Sequence, residues 1–380
     1  MRWSIFICGA GLLCLAAWID NLRGPLLPAI TELMELDYAA ASLIVALGNL
    51  VAMISTWLLM PLLNKHSLRQ IGGIVLMYTT LVCLSAFFAD SKIRIFLWGA
   101  MVGGCLSTMG SLSNLYVQAG TEDGRRGQMM SALHSIYGLS SFFAPWLAGL
   151  VLADTSRWPY LFAAAAPFAA ALAIYIQFFL KGPIERTSDH DRAQPLSLEP
   201  IHILSVITLI CYVVAETLTS TWLPSYLVRE HNISLREASI YTSAFFAVMF
   251  VTRISCGLWA TPRWHRALIW ASMISALICF VCGKWLGLIW LLPAAGLFGP
   301  FFPLFVTWTS LRFPQRDRTV LLWTLSGMQA ALALMNYVTG RIADTEGFEF
   351  AFWLPAIMMV VTLLLLKWLE IKDHALIEKA

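Results

Sequence analysis

About a dozen stretches of mostly apolar residues, each near twenty long, recur along this chain with short polar breaks between them. A helix adds about 1.5 Å per residue and a bilayer core is about 30 Å thick, so each run is long enough to span a membrane. The runs fall at roughly 4–30, 38–63, 70–89, 95–118, 127–153, 158–180, 201–228, 235–260, 266–284, 286–313, 319–341 and 349–369. None alternates residue by residue as a membrane β-strand does. Composition agrees: 59% of residues are hydrophobic and 12% charged, about half the charge of a soluble domain. The expected fold is an all-α membrane protein of twelve transmembrane helices in two six-helix bundles related by a pseudo-two-fold axis.

The longest break, KGPIERTSDHDRAQPLSLEP, falls between runs six and seven. Residues 1–180 are therefore expected to form one bundle, 181–200 a cytoplasmic linker and 201–380 the second bundle. The N-terminal run carries one Arg and no small-x-small cleavage site before Asp20, so it is read as an uncleaved span.

Orientation follows from Lys and Arg in the breaks. With the N-terminus inside, the inner segments hold 16 basic residues, among them Lys65, Arg69, Arg125, Arg126, Arg312 and Lys372, and the outer ones hold 6. Both termini are expected in the cytoplasm, in a multi-pass protein of the inner membrane. The net charge of +3 comes in scattered clusters, which excludes the continuous basic face that nucleic acid needs. The eight cysteines all sit in apolar runs and read as small packing residues.

An ionisable group inside a span faces the bundle interior or a water-filled cavity. Runs three, six, nine and twelve have no such group in their middles; runs one, seven and eight do. One greasy helix per triplet, in both halves, points to an internal repeat with that helix against lipid. Asp20 and Arg23 share a helix face at i, i+3. Counted from the inner end of each run, Asp20 lies roughly 24 Å up, Arg23 roughly 28 Å and Glu216 roughly 22 Å, whereas Arg253 lies only about 10 Å up. This reading puts Arg23 between two acids, Asp20 and Glu216. The acid left under-neutralised would favour its protonated form, as coupling to a proton gradient requires.

Asn49, Tyr137, Ser220, Trp222 and Gln329 lie near the middles of their runs and complete the expected substrate-binding or coupling set. Amides, hydroxyls and rings at one depth suit a polyhydroxy or zwitterionic solute. His134, nearer an inner end, reads as a packing or gating residue. Lys65, Arg69 and Arg253 are candidates for gating at the inner side. No nucleophile–base pair, metal cluster or P-loop is present in the sequence; GTEDGRRG has glycines but no G-K-[ST]. No enzyme activity, cofactor or metal is expected.

Two halves of six spans with a central loop resemble the major facilitator superfamily over the whole chain. Within it, DNLRGPLLP, the Asn114 region through GRRGQMMSALHSIYG, YVVAETLTSTWLPSYL, GLFGPFFPLF and TGRIAD resemble the fucose–proton symporter group of sugar transporters. The resemblance implies a rocker-switch transporter with spans 1, 4, 7 and 10 around the cavity, spans 2, 5, 8 and 11 flanking it, and spans 3, 6, 9 and 12 facing lipid. The chain departs from it in three places. The loop after span two, MPLLNKHSLRQIG, has Asn64 where the superfamily motif carries an acid. Span four has no carboxylate. The group's span-one carboxylate falls near Gly24, so Asp20 and Glu216 are candidates by depth rather than by resemblance.

The expected function is a secondary active transporter that moves a small polar organic solute, sugar-like or another polar metabolite, by alternating access as a monomer. Protons are the expected coupling ion and sodium the alternative. The rival readings are a proton-driven exporter of drugs, siderophores or metabolites, and a transport-inactive membrane sensor.

Overall fold

The computed structural model describes residues 2–122, 126–180, 198–259, 262–313 and 317–377. The linker expected at 181–200 lies mostly outside the described residues. The described residues are mostly helical, with no strand among them, and make twelve passes. In chain order these are α1 (Trp3–Leu33), α2 (Tyr38–Lys65), α3 (Leu68–Ser85), α4 (Lys92–Gly120) and α5 (Arg126–Val151). Pass six is split into α6a (Trp158–Ala163) and α6b (Ala166–Ile174), with a π-turn at Tyr175–Phe179. The second half holds α7 (Pro200–His231), α8 (Leu235–Trp259), α9 (His265–Trp285), α10a (Leu291–Gly296), α10b (Phe301–Arg312), α11 (Asp317–Thr345), α12a (Phe348–Ala351) and α12b (Leu354–Ile377).

Nine of the described helical segments are long and apolar enough to cross a membrane. Pass ten is not among them because it is two helices, not the single one expected at 286–313. Its break, residues 297–300, sits in the sequence GLFGPFFPLF. Pro300 and Pro303 have no N–H, so the carbonyls four residues back, of Gly296 and Gly299, lose their helical donors. The chain is a multi-pass membrane protein.

Two apolar cores correspond to the two halves. One is built from the first six passes, with Leu12, Ile71, Trp98, Met109 and Phe162 at or near full burial. The other is built from passes seven to twelve and takes in Leu27, Ala41 and Val45 from the first half. Large apolar side chains on α3, α6b, α9 and α12b stay exposed, including Ile74, Leu81, Phe168, Ile278 and Leu364. Such surface in a protein this greasy faces lipid.

The same close crossing recurs in each half. In the first, Gly103 of α4 lies against Gly48 of α2: a Cβ there would sit 1.8 Å from the Gly48 carbonyl oxygen. In the second, a Cβ on Gly296 of α10a would sit 1.8 Å from Val248 Cγ1 of α8. Small residues let backbones approach where lipid offers no hydrophobic drive between helices.

With an even number of passes, both chain ends lie at one face, here the terminal face; the other is the distal face. The halves join toward the distal face. Gly340 of α11 abuts Tyr38 and Ser42 of α2, Gly149 of α5 abuts Ser239 of α8, and Gly24 of α1 abuts the Ser220 carbonyl of α7. The Asp344 carboxylate of α11 accepts the backbone N–H of Tyr38 at 2.9 Å and of Ala39 at 2.7 Å. It thereby satisfies two donors that the first turn of α2 cannot bond internally, while Asp37 accepts from Ala40.

Candidate functional site

Two acid–guanidinium pairs occupy the middle of the seam between the halves. On α1, Arg23 Nη2 bonds Asp20 Oδ1, and Arg23 Nε also reaches the Asp20 carbonyl at 3.3 Å. The i, i+3 spacing that suggested the pair is what places it. From α5, the Tyr137 hydroxyl donates to Asp20 Oδ2 at 2.8 Å. Next to this, Asn21 donates to Ser141 at 2.9 Å. The cluster thus holds α1 against α5 by polar contacts inside an apolar bundle.

On the other side, Glu216 of α7 accepts Tyr212 O–H on Oε2 and Arg253 Nη2 on Oε1, the latter at 3.3 Å. This corrects the sequence reading of Arg23 as shared by two acids: Glu216 has its own guanidinium, from α8. The depth count failed because it assumed upright helices with level ends. Membrane helices tilt by about 20° on average, and a long arginine stem covers the remaining distance. Arg253 is therefore part of the mid-seam network and is not placed at an inner gate. Both pairs are largely buried: side-chain exposure is 15% for Arg23, 28% for Asp20, 16% for Arg253 and 19% for Glu216.

Tyr137 links the two pairs. It is bonded to Asp20 and stands within electrostatic range of both Glu216 and Arg253. His134, one turn from Tyr137 on α5, is in range of Arg253. The order across the seam is Arg23, Asp20, Tyr137, then Glu216 and Arg253. Two negative and two positive groups balance.

The break in α10 completes the second pair. The freed Gly299 carbonyl accepts Arg253 Nε at 3.2 Å, and the freed Gly296 carbonyl accepts the Thr252 hydroxyl. Between them, the Phe298 carbonyl accepts Tyr212 O–H at 2.9 Å. Sequence reasoning missed Tyr212, although its i, i+4 spacing to Glu216 on one helix was readable. It also missed the two prolines as the device that offers backbone oxygens to α8.

The remaining candidates scatter. Asn49 of α2 is 4% exposed and its Nδ2 has no hydrogen-bond partner. Trp222 is fully buried inside the second bundle, where Nε1 donates to Asn336 Oδ1 at 3.0 Å. It therefore holds α7 to α11 and does not join the seam network. Ser220 bonds back to the Thr217 carbonyl of its own helix at 3.1 Å. Gln329 is half-buried on α11. A narrow recess between α1, α2 and α4 is lined by Arg23, Leu26, Ile30, Ile44 and Trp98. At the terminal face, Lys65 is exposed at the end of α2. Arg69 bonds the Leu180 carbonyl, a tie within the first half.

Comparison with known proteins agrees with this architecture. Among solved structures, the E. coli xylose transporter XylE in its inward open conformation superposes with a TM-score of 0.77, at 11% identity and 96% coverage of both chains. The nucleoside transporter NupG gives 0.72, at 12% identity over 97% of this chain and 98% of that one. FucP, in the outward conformation, gives 0.66, at 16% identity over 96% and 98%. At these identities the likeness is one of fold. A curated relative, the TsgA homolog of Buchnera aphidicola, is 24% identical over 214 residues, 54% of this chain. The chain spans about half of that relative's length. The family description of the Major Facilitator Superfamily matches residues 7–291 and 204–379. With twelve passes in two packed halves, the chain belongs to the major facilitator superfamily.

Proposed function

We propose that this transporter moves a small polar organic solute across the inner membrane by alternating access, with a proton as the coupling ion. The observation that carries this reading is the balanced network at the seam. A membrane acid costs about 2.5–3.5 kcal/mol on an insertion scale, and a chain that holds two of them at one junction, each with its own guanidinium, has reason to keep them. The groups that face each other there are hydrogen-bond donors and acceptors with no net charge. They match a neutral polyhydroxy solute or a zwitterion better than an anion, a cation or an apolar drug. Two fold neighbours are a D-xylose–proton symporter and a fucose–proton symporter, and a third is a nucleoside transporter. All three solutes are polar and rich in hydroxyls.

The coupling step rests on the two carboxylates. Each is paired with an arginine. Water entering from one face brings a proton, and a neutral carboxyl releases its arginine and hydroxyl partners for the solute or for a different packing of the halves. On this reading the termini are cytoplasmic and the distal contacts close the outer side.

A thermal-shift screen of the purified protein against sugars, nucleosides, amino acids, organic acids and apolar drugs tests the solute class. A bound ligand at 100 times its Kd stabilises by about 2.7 kcal/mol. One or more neutral polar solutes should raise the melting temperature of wild type and fail to do so for Asp20→Asn. Stabilisation by apolar drugs alone would overturn the reading in favour of an exporter.

A further inference from the structure

The Tyr212 hydroxyl faces two acceptors with one hydrogen. Its ring is fully buried and stacked on Phe301 with centroids 4.3 Å apart, so the oxygen is fixed in place. One acceptor is Glu216 Oε2 on its own helix. The other is the carbonyl of Phe298 in the break of α10, at 2.9 Å. A phenol donates one hydrogen bond and accepts others. The single phenol hydrogen can therefore serve only one of the two acceptors at a time, and which one it serves depends on whether Glu216 carries a proton of its own.

We propose that Tyr212 is a positioning residue that reports the protonation of Glu216 to the break in α10. This rests on the proton-coupled reading above. With Glu216 ionised, Tyr212 gives its hydrogen to the carboxylate. The Phe298 carbonyl then keeps only the N–H of Phe301, at 3.1 Å. When Glu216 takes a proton from water, the new carboxyl O–H donates to the phenol oxygen, and the phenol hydrogen turns to the Phe298 carbonyl. One proton is taken up, no covalent bond to carbon changes, and the bond lost at the carboxylate is replaced at the backbone of α10.

The break is built to respond. Pro300 and Pro303 remove the i+4 donors of the Gly296 and Gly299 carbonyls. The turn keeps the tighter backbone bonds Gly299 N–H to Gly296 and Phe301 N–H to Phe298, and side chains add to them: Thr252 and Arg253 from α8, Tyr212 from α7. Arg253 is coupled to the same event. It holds Glu216 through Nη2 and Gly299 through Nε, and it loses its counter-charge when Glu216 becomes neutral. The titratable and charged groups that face Glu216 are Tyr212 on its own helix, Arg253 from α8 and Tyr137 from α5. Behind them stand His134, in range of Arg253, and the Asp20–Arg23 pair, through Tyr137. Of these, Tyr212 and Arg253 also bond the α10 backbone, and only Tyr212 does so with a single transferable hydrogen.

The test needs no solute. Spin labels at Ser91→Cys and Glu346→Cys, on a background with the native cysteines replaced, report the distance between the halves at the distal face. Wild type in nanodiscs should change its distance distribution between pH 8 and pH 5, and Glu216→Gln should show one distribution at both. Tyr212→Phe should keep the infrared band of a titrating carboxyl that Glu216→Gln removes, yet lose the distance change. A Tyr212→Phe protein that moves with pH as wild type does would overturn the relay while leaving Glu216 as the coupling acid. A pH response surviving in Glu216→Gln, or absent from wild type, would overturn the coupling reading and the relay with it. Should Tyr212→Phe not fold, fluorotyrosine at 212 keeps shape and hydroxyl but donates more strongly. Stronger bonding to the ionised acid favours it, so the midpoint should fall by about half a pH unit; an unmoved midpoint would overturn the relay.

Discussion

Glu216 on α7 and Arg253 on α8 meet at 3.3 Å, although a count along their helices puts them on different levels. Beside the contact α10 breaks, and the carbonyl of Gly299 accepts Arg253 Nε at 3.2 Å. Removing one partner of a largely buried pair leaves a bare charge, which costs about 3–5 kcal/mol when burial is complete, and less here, where exposure is 16% and 19%. Arg253→Met is therefore expected to lower the melting temperature more than Arg253→Met combined with Glu216→Gln. Thermal unfolding of the two proteins in one detergent checks the order; a double mutant as weak as the sum of its parts would mean the two side chains do not interact.

The Asp344 carboxylate on the first turn of α2 acts as a latch between the halves. A carboxylate at a helix N-terminus is worth about 0.3–1 kcal/mol, more where partly buried. Asp344→Asn keeps the shape and removes the charge. It should move the population toward a state open at the distal face by roughly five-fold, the equivalent of about 1 kcal/mol. Labelling by a membrane-impermeant thiol reagent at a cysteine placed under the latch, Ser42→Cys, measures this; unchanged labelling rates would show that the latch contributes nothing.

Lys284 at the end of α9 is fully enclosed. Its ammonium bonds Glu349 at 2.6 Å and the Tyr226 hydroxyl at 3.0 Å, and lies 4.3 Å from the Tyr226 ring centroid. It pins α9 to α7 and α12a. Loss of the hydrogen bonds and the cation–π contact in Lys284→Met should cost about 1–2 kcal/mol. Arginine, larger and planar, should not restore the lost stability. A Lys284→Arg protein as stable as wild type would show that the cage is loose enough to take a guanidinium.

Glycine substitutions on α4 separate packing from helix propensity. Gly103→Ala would push a methyl group into the Gly48 backbone oxygen, whereas Gly110 has nothing within 4 Å. Alanine at 110 should be neutral or stabilising by a few tenths of a kcal/mol up to about 1. Alanine at 103 should sharply reduce the yield of folded protein. Equal yields by size-exclusion profile would contradict the close α2–α4 crossing.

Twelve passes and the Asp20–Arg23 pair were legible because each depends on spacing along one helix. Tyr137 was found by depth, but its bond to Asp20 across α5 and α1 was not. Partners that meet across helices were not legible: Glu216 with Arg253, Trp222 with Asn336, Asp344 with the start of α2. Their meeting depends on tilt and on which helices pack together, which periodicity does not carry. The break of α10 was hidden by the run's apolarity, yet Pro300 and Pro303 spelled it out through the i+4 donors they remove. Trp222 misled because a polar-tipped ring at mid-depth fits a bundle core as well as a cavity.

Solute accumulation in proteoliposomes under an imposed pH gradient, for wild type and Glu216→Gln side by side, bears most directly on proton coupling at the seam. The probe is whichever neutral polar solute stabilises the purified protein most. Wild type should concentrate it above the external level, and the mutant should only equilibrate it. Accumulation by Glu216→Gln equal to wild type, with the same dependence on the gradient, would contradict Glu216 as the coupling acid.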